Sequence, residues 1–393
     1  MAPSFAFRSK PIRDLMVAMT LSRVAMVGAV LLGVVAGTPL AAAQSVPVTP
    51  SAPVTPPPGP PVEPMPMPTV VPGAPLSSDV PALLRSAPVV ETVPAAEAAP
   101  ASTPAAAPES TAPANPPACV PWKVSTVADG FGVLENLAFD GDGTMLLSES
   151  IPFGDGAIRT LTPSGEAGTL VSDVQSPGGI VVDGDRVVFT TGNNVMAGLW
   201  GSANGTVDAV DRDGGNHTTL TEGLSMPNGL ALLDGGDLLV THAFGDEPGL
   251  TRIPASDPTS AATVRTDVGS ANGLFSTPTS VYVGNTVDRS TEVHVLDAGD
   301  LTGEVTTLTL PGGGAANAGD DLTVDADGLV YIALNGAGKV VRVDPATGDT
   351  CEIATDLPMT SSVRFGSGTG WDSTSLYATS FAGTVHRLTP PGN

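Results

Sequence analysis

From Cys119 onward, short runs of alternating apolar and polar residues are broken by Gly, Asp, Asn and Pro, and no helical apolar period is sustained. Runs of that length and rhythm predict β-strands, and the breaks predict turns. The stretch Gly319 to Pro345 holds one whole unit. An apolar strand opens on Asp320-Asp321 and turns at Ala326-Asp327-Gly328. A second strand, Leu329 to Leu334, leads through a Gly-rich turn to a third, Lys339 to Val343. That third strand recurs from Gly156, Gly205, Gly249, Thr291 and Gly383, which makes six units. A fourth strand follows the first five, at Gly168 to Val174, His217 to Leu224, Ala262 to Val268, Glu304 to Leu310 and Cys351 to Leu357. The sixth unit runs out of chain, but the segment from Trp122 to Asp129 resembles the one from Cys351 to Asp356. An N-terminal strand that completes the last unit leaves no unpaired edge, so the pattern predicts an all-β, six-bladed β-propeller closed by that strand.

The chain ahead of the propeller reads differently. Arg8, Lys10, Arg13 and Arg23 lead into the apolar run Val24 to Val35 and then Ala41-Ala42-Ala43, the pattern of a cleaved signal peptide over residues 1–43. The run falls short of the ~20 residues of a spanning helix, which predicts no membrane insertion after cleavage. Residues 44–118 are rich in Pro, Ala, Val, Ser and Thr and poor in charge, the composition of a disordered linker. The expected domains are therefore 1–43, 44–118 and 119–393, in a protein that is secreted, extracellular or held at the cell envelope through the linker.

Charge narrows the partners. The chain has 16 Lys and Arg against 40 Asp and Glu, a net of −24, and nearly all of that excess lies after residue 118. A domain this acidic repels nucleic acid and anionic membrane and tolerates cations. The only two cysteines, Cys119 and Cys351, are far apart in sequence, and the sequence leaves open whether they pair.

The first strand of each blade lines the channel of a propeller, so the residues that open these strands converge on one face. The openings are Glu135-Asn136, Gly178-Gly179, Asn228-Gly229, Asn272-Gly273, Asp320-Asp321 and Ser361-Ser362, spaced 41 to 50 residues apart. Glu135, Asn228, Asn272 and Asp320 form a hard, all-oxygen set suited to Ca²⁺ or another divalent cation. No Cys or His stands at an opening, which argues against zinc. Taken singly, each Asn-Gly also reads as a turn dipeptide. The Asp-rich breaks at Asp140 and Asp325 read as hairpin turns on the opposite face.

The unit from Asp320, with its Gly-Lys-Val-Val-Arg-Val-Asp-Pro third strand, resembles the metal-binding blade of the SMP-30/gluconolactonase family. The set Glu135, Pro227-Asn228-Gly229, Ala271-Asn272-Gly273 and Asp320-Asp321 resembles the paraoxonase and arylesterase relatives as well. The resemblance implies a catalytic Ca²⁺ in the channel and hydrolysis of lactones or related esters. It implies metal-ligand roles for Glu135, Asn228 and Asp320, and for Asn272 in the paraoxonase-like branch. The chain departs from the pattern at Gly178 and at Ser361-Ser362, where that branch has histidines, and around Gln175 to Gly178, where the sugar-lactone residues have no match.

The ends of the second strands run back towards the same face, which predicts Glu149, Asn193, His242, Asn285, Asn335 and Ser380 as pocket lining. His242 and Asp321 are the candidate general bases. Two functions follow as alternatives. One is a Ca²⁺-dependent hydrolase of a small lactone or ester; the other is a non-catalytic binding or scaffold propeller displayed on its linker, with a structural ion.

Overall fold

A computed structural model describes residues 118–151, 155–245 and 247–392. The expected signal peptide and nearly all of the expected linker lie outside the described residues. The first strand, β1 (Lys123–Ala128), is followed by six groups of strands. Blade 1 is β2 (Val133–Phe139), β3 (Met145–Ser150), β4 (Gly156–Leu161) and β5 (Ala167–Val174). Blade 2 is β6 (Ile180–Asp183), β7 (Arg186–Thr191), β8 (Gly205–Asp211) and β9 (Thr218–Leu224). Blade 3 is β10 (Pro227–Leu232), β11 (Leu238–His242), β12 (Gly249–Ile253) and β13 (Ala262–Arg265). Blade 4 is β14 (Ala271–Ser276), β15 (Ser280–Asn285), β16 (Ser290–Asp297) and β17 (Thr306–Gly313). Blade 5 is β18 (Gly319–Val324), β19 (Val330–Leu334), β20 (Lys339–Val343) and β21 (Thr350–Ala354). Blade 6 is β22 (Thr360–Phe365), β23 (Leu376–Ser380) and β24 (Thr384–Thr389), and its fourth strand is β1.

Each blade is a four-stranded antiparallel sheet, and β1 pairs with β24 from Lys123 opposite Thr389 to Ala128 opposite Val385. The expected closure is therefore the one observed. The six first strands touch in a ring, β2 against β6, β6 against β10, and so on through β22 back to β2. Among the described residues the two α-helices are short, α1 (Val195–Leu199) and α2 (Gly314–Asn317). The hairpins at Asp140 and Asp325 are Asp-anchored turns: Asp140 Oδ1 accepts the N–H groups of Asp142, Gly143 and Thr144, and Asp325 Oδ1 those of Asp327 and Leu329.

Each blade has two apolar faces, and each face meets a neighbour. Six core clusters result, one at every interface between blades. Leu134, Leu137, Met145 and Leu147 of blade 1 pack on Trp371, Tyr377 and Val385 of blade 6, and Phe139 lies edge-on to both aromatic rings. Full burial of such side chains stabilises by about 1.5–3 kcal/mol each. Ring closure has a covalent reinforcement, because Cys119 and Cys351 form a disulfide with a Cα–Cα distance of 5.5 Å. Trp122 N–H donates to Ile353 O at 2.7 Å, so the segment before β1 bridges the outer edges of blades 5 and 6. In the chain-entropy view, a crosslink spanning this much chain contributes up to about 5 kcal/mol.

Candidate functional site

The polar residues that open the first strands sit on a repeated backbone irregularity. In blade 1 the register jumps between Leu134 and Leu137, in blade 3 between Pro227 and Leu230, in blade 4 between Ala271 and Leu274, and in blade 5 between Gly319 and Leu322. In each case two residues of the first strand face one residue of the second, which is a β-bulge. The bulged pairs are Glu135-Asn136, Asn228-Gly229, Asn272-Gly273 and Asp320-Asp321. Blade 6 has a shift of the same kind between Thr360 and Ser362.

The Asn-Gly pairs are thus strand residues, and the glycines have a reason other than turn geometry. Neither Gly229 nor Gly273 has a positive φ. A Cβ on Gly229 would lie 2.5 Å from Asn272 O, and one on Gly273 would lie 2.3 Å from Asp320 O. Glycine lets neighbouring first strands approach closely at the axis. Hydroxyls on the second strands of blades 1, 2 and 3 then stitch each of these blades to the next. Ser148 donates to Gly178 O at 2.5 Å, Thr190 to Asn228 O at 3.0 Å, and Thr241 to Asn272 O.

The four candidate ligands are buried and linked. Asn228 Nδ2 donates to Glu135 Oε1 at 3.0 Å, and Asn193 Nδ2 donates to the same oxygen at 2.8 Å. Asn335 Nδ2 donates to Asp320 Oδ2 at 3.3 Å, and the Asn272 amide faces the Asp320 carboxylate. Burial pushes the Asp320 carboxyl well above the usual range, and the charges of Glu135 and Asp321 push it the same way. Burial likewise raises Glu135, against the hydrogen bonds from Asn193 and Asn228. Asn272 Oδ1 is buried with no hydrogen-bond partner. Two crowded carboxylates and an unsatisfied amide oxygen are the donor chemistry of a hard cation site. Among the described residues no group of three or more His, Cys, Asp or Glu side chains is placed to hold a metal ion together, and this set contains only two acids.

Asp321 belongs to a different network. Its Oδ2 accepts from Asn136 Nδ2 at 2.9 Å and from Ser362 Oγ at 2.6 Å, and it pairs with Arg364 Nη1 at 2.7 Å. Its Oδ1 accepts from Leu274 N–H at 3.3 Å. The carboxylate, 2% exposed, ties blade 5 to blades 1, 4 and 6. His242 is 4% exposed; its Nδ1 lies 2.8 Å from Ser225 O and its Nε2 3.0 Å from Thr251 Oγ1. Nδ1–H therefore donates to the carbonyl, and Nε2 accepts from the hydroxyl. Burial holds its pKa below the ordinary histidine value.

Of the six second-strand ends expected to line the pocket, two reach the cluster, Asn193 and Asn335. Glu149 bonds Gly132 N–H and pairs with Arg159, Asn285 bonds the backbone of Ser290 and Glu292, and Ser380 bonds Pro358 O. The clasp of Asn136, Ser362 and Arg364 around Asp321 was missed in the sequence. Its signal was a lone Arg in a channel-lining strand beside a doubled acid.

A six-bladed propeller with a buried acid-and-amide cluster at one mouth of its axis is the class these observations define. Residues 155–382, more than half of the chain, match the SMP-30/Gluconolactonase/LRE-like region family, and the chain belongs to it. No curated protein matches the chain. Among solved structures it is similar to a gluconolactonase from Xanthomonas campestris, at 18% identity and TM-score 0.54, covering 68% of this chain and 89% of that one. It is also similar to a luciferin-regenerating enzyme, at 16% identity and TM-score 0.52, covering 69% of this chain and 96% of that one. At these identities the structural likeness is one of fold.

Proposed function

We propose that the protein is a hydrolase of small lactones or related esters that holds Ca²⁺ through Glu135, Asn228, Asn272 and Asp320. The observation that carries this reading is the pair of buried, mutually repelling carboxylates beside the unpartnered Asn272 Oδ1. A cation offsets that repulsion and takes up that oxygen. Family membership supports the lactone class. When bound, the ion supplies a Lewis acid for the carbonyl oxygen and its developing negative charge.

The chain's own groups do the rest. Asn193 and Asn335 hold the two carboxylates in place through their amide N–H groups. In hydrolysis a water oxygen adds to the carbonyl carbon and the ring C–O bond breaks. The water's proton passes to a base and then to the departing alkoxide, giving a hydroxy acid. His242 and Asp321 are the candidate bases, and either must exchange a hydrogen bond it now makes before it can serve; the four partners that clasp Asp321 leave His242 the better placed of the two. That engagement favours a second reading, a propeller that binds without turnover. The Cys119–Cys351 bond supports export to an oxidising compartment, with residues 44–118 as a tether at the envelope.

A panel of aliphatic lactones and aryl esters, assayed with Ca²⁺ and then with EDTA, tests the proposal. Turnover lost both to EDTA and to Asp320→Ala is expected. A folded, Ca²⁺-loaded protein inert on the whole panel leaves the second reading.

A further inference from the structure

The first strands carry their polar residues at one end and apolar residues at the other. At the ends remote from Glu135, Asn228, Asn272 and Asp320, a cavity of about 390 Å³ opens on the axis. Phe139, Val182, Leu232, Phe275 and Phe365, from five different blades, line it together with Arg364, and none of the four candidate ligands does. From Glu135 to Phe139 is four residues of strand, about 13 Å. The Asp321 clasp lies between, so the two ends of the channel are separate compartments.

Ser276, Thr323 and Ser367 also border the cavity, and Arg364 is the charged group that makes it more than an apolar funnel. Its side chain is 13% exposed, and its guanidinium stands 5.5 Å from the centre of the Phe275 ring. Nη1 alone makes its polar contacts, to Asp321 Oδ2, Leu322 O and Val363 O. Among the described residues neither Nε nor Nη2 has a partner. Donors are therefore free in a cavity walled by aromatic rings, and their charge is already balanced by Asp321. An anion there would bring an unbalanced charge into a strongly acidic domain, whereas a neutral carbonyl oxygen would take the donors at no such cost.

We propose that this apolar half of the channel is a second small-molecule site. It takes a neutral molecule with an aromatic or alicyclic body and one carbonyl acceptor, with the carbonyl on Arg364 and the body against Phe139, Phe275 and Phe365. The volume is in the lower part of the range of small-ligand pockets, roughly 300–1,000 Å³.

Ligand-observed saturation-transfer NMR on the full chain tests it with three probes of similar size: acetophenone, toluene and benzoate. Acetophenone is expected to bind at millimolar concentration or below, toluene several-fold more weakly, and benzoate not at all. Val182→Trp and Leu232→Trp, on different blades, each fill the cavity and are expected to abolish the acetophenone signal, with folding checked by thermal melting. Glu135→Gln, at the other mouth, is expected to leave it unchanged and keeps the test decisive should a filling variant not fold. Absence of acetophenone binding, equal binding of benzoate, persistence in a folded filling variant, or loss in folded Glu135→Gln would each overturn the assignment.

Discussion

Glu135 and Asp320 are two buried acids whose hydrogen-bond partners among the described residues are all amides. Their raised pKa values mean that the charged form is costly in the absence of a cation. Glu135→Gln keeps the oxygen that Asn193 and Asn228 bond and removes the charge. In EDTA at neutral pH it is expected to melt above the parent, at about 2–4 °C per kcal/mol gained in a domain of this size. Its melting temperature should no longer rise with added Ca²⁺, whereas the parent's should; a Ca²⁺ response retained in the variant would remove Glu135 from the ligand set. His242 makes a separate statement about pH. Its folded-state pKa lies below the unfolded value because it is buried neutral. Its contribution to stability is full above an unfolded pKa of about 6.5 and is lost as pH falls from there through the folded-state value. His242→Gln should therefore flatten the decline in melting temperature between about pH 7.5 and 5.5 relative to the parent. An unchanged slope would show that its burial does not set the acid limit.

At the scale of the strand, the bulge decides which side chains meet at the axis and which do not. Because first strands crowd one another there, Gly229→Ala and Gly273→Ala push a methyl group onto a neighbour's carbonyl. Each is expected to destabilise by more than about 1–3 kcal/mol, the usual cost of overpacking, since backbone must move. Gly313→Ala is the control: its φ is −89° and the nearest atom to an added Cβ is 4.0 Å away, so its unfolding midpoint should stay near the parent's. Blade number and closure were legible in the sequence because strand length, turn chemistry and the likeness of Trp122–Asp129 to Cys351–Asp356 are local signals. The four openings were legible for the same reason, since their phase repeats with the blades. What each polar group does was less so. Asp320 and Asp321 are adjacent and chemically identical, yet one joins the cluster and the other a clasp, and only neighbours from distant blades decide that. The rule that placed Asn193 and Asn335 at the cluster also named Glu149, Asn285 and Ser380, which bond to nearby groups instead.

Across the whole molecule the axis is divided into a polar mouth, a charged clasp and an apolar mouth. β1 begins opposite Thr389, at the end of blade 6 where Phe365 lies, so the chain joins the propeller on the apolar face, away from the candidate ligands. The clasp is what separates and unites the two halves. Asp321 receives Arg364 and Ser362 from blade 6, Asn136 from blade 1 and the Leu274 N–H from blade 4. Removing one partner of a buried ion pair leaves the other unbalanced, at a cost of about 3–5 kcal/mol, whereas replacing both by apolar groups of similar size is often neutral. Asp321→Leu is therefore expected to lower stability by that amount in chemical denaturation, and Asp321→Leu with Arg364→Met to recover much of it. A general base would behave otherwise: Asp321→Asn would abolish turnover with the unfolding midpoint almost unmoved. Measuring both quantities on Asp321→Asn separates the roles, and the geometry predicts that stability is what falls.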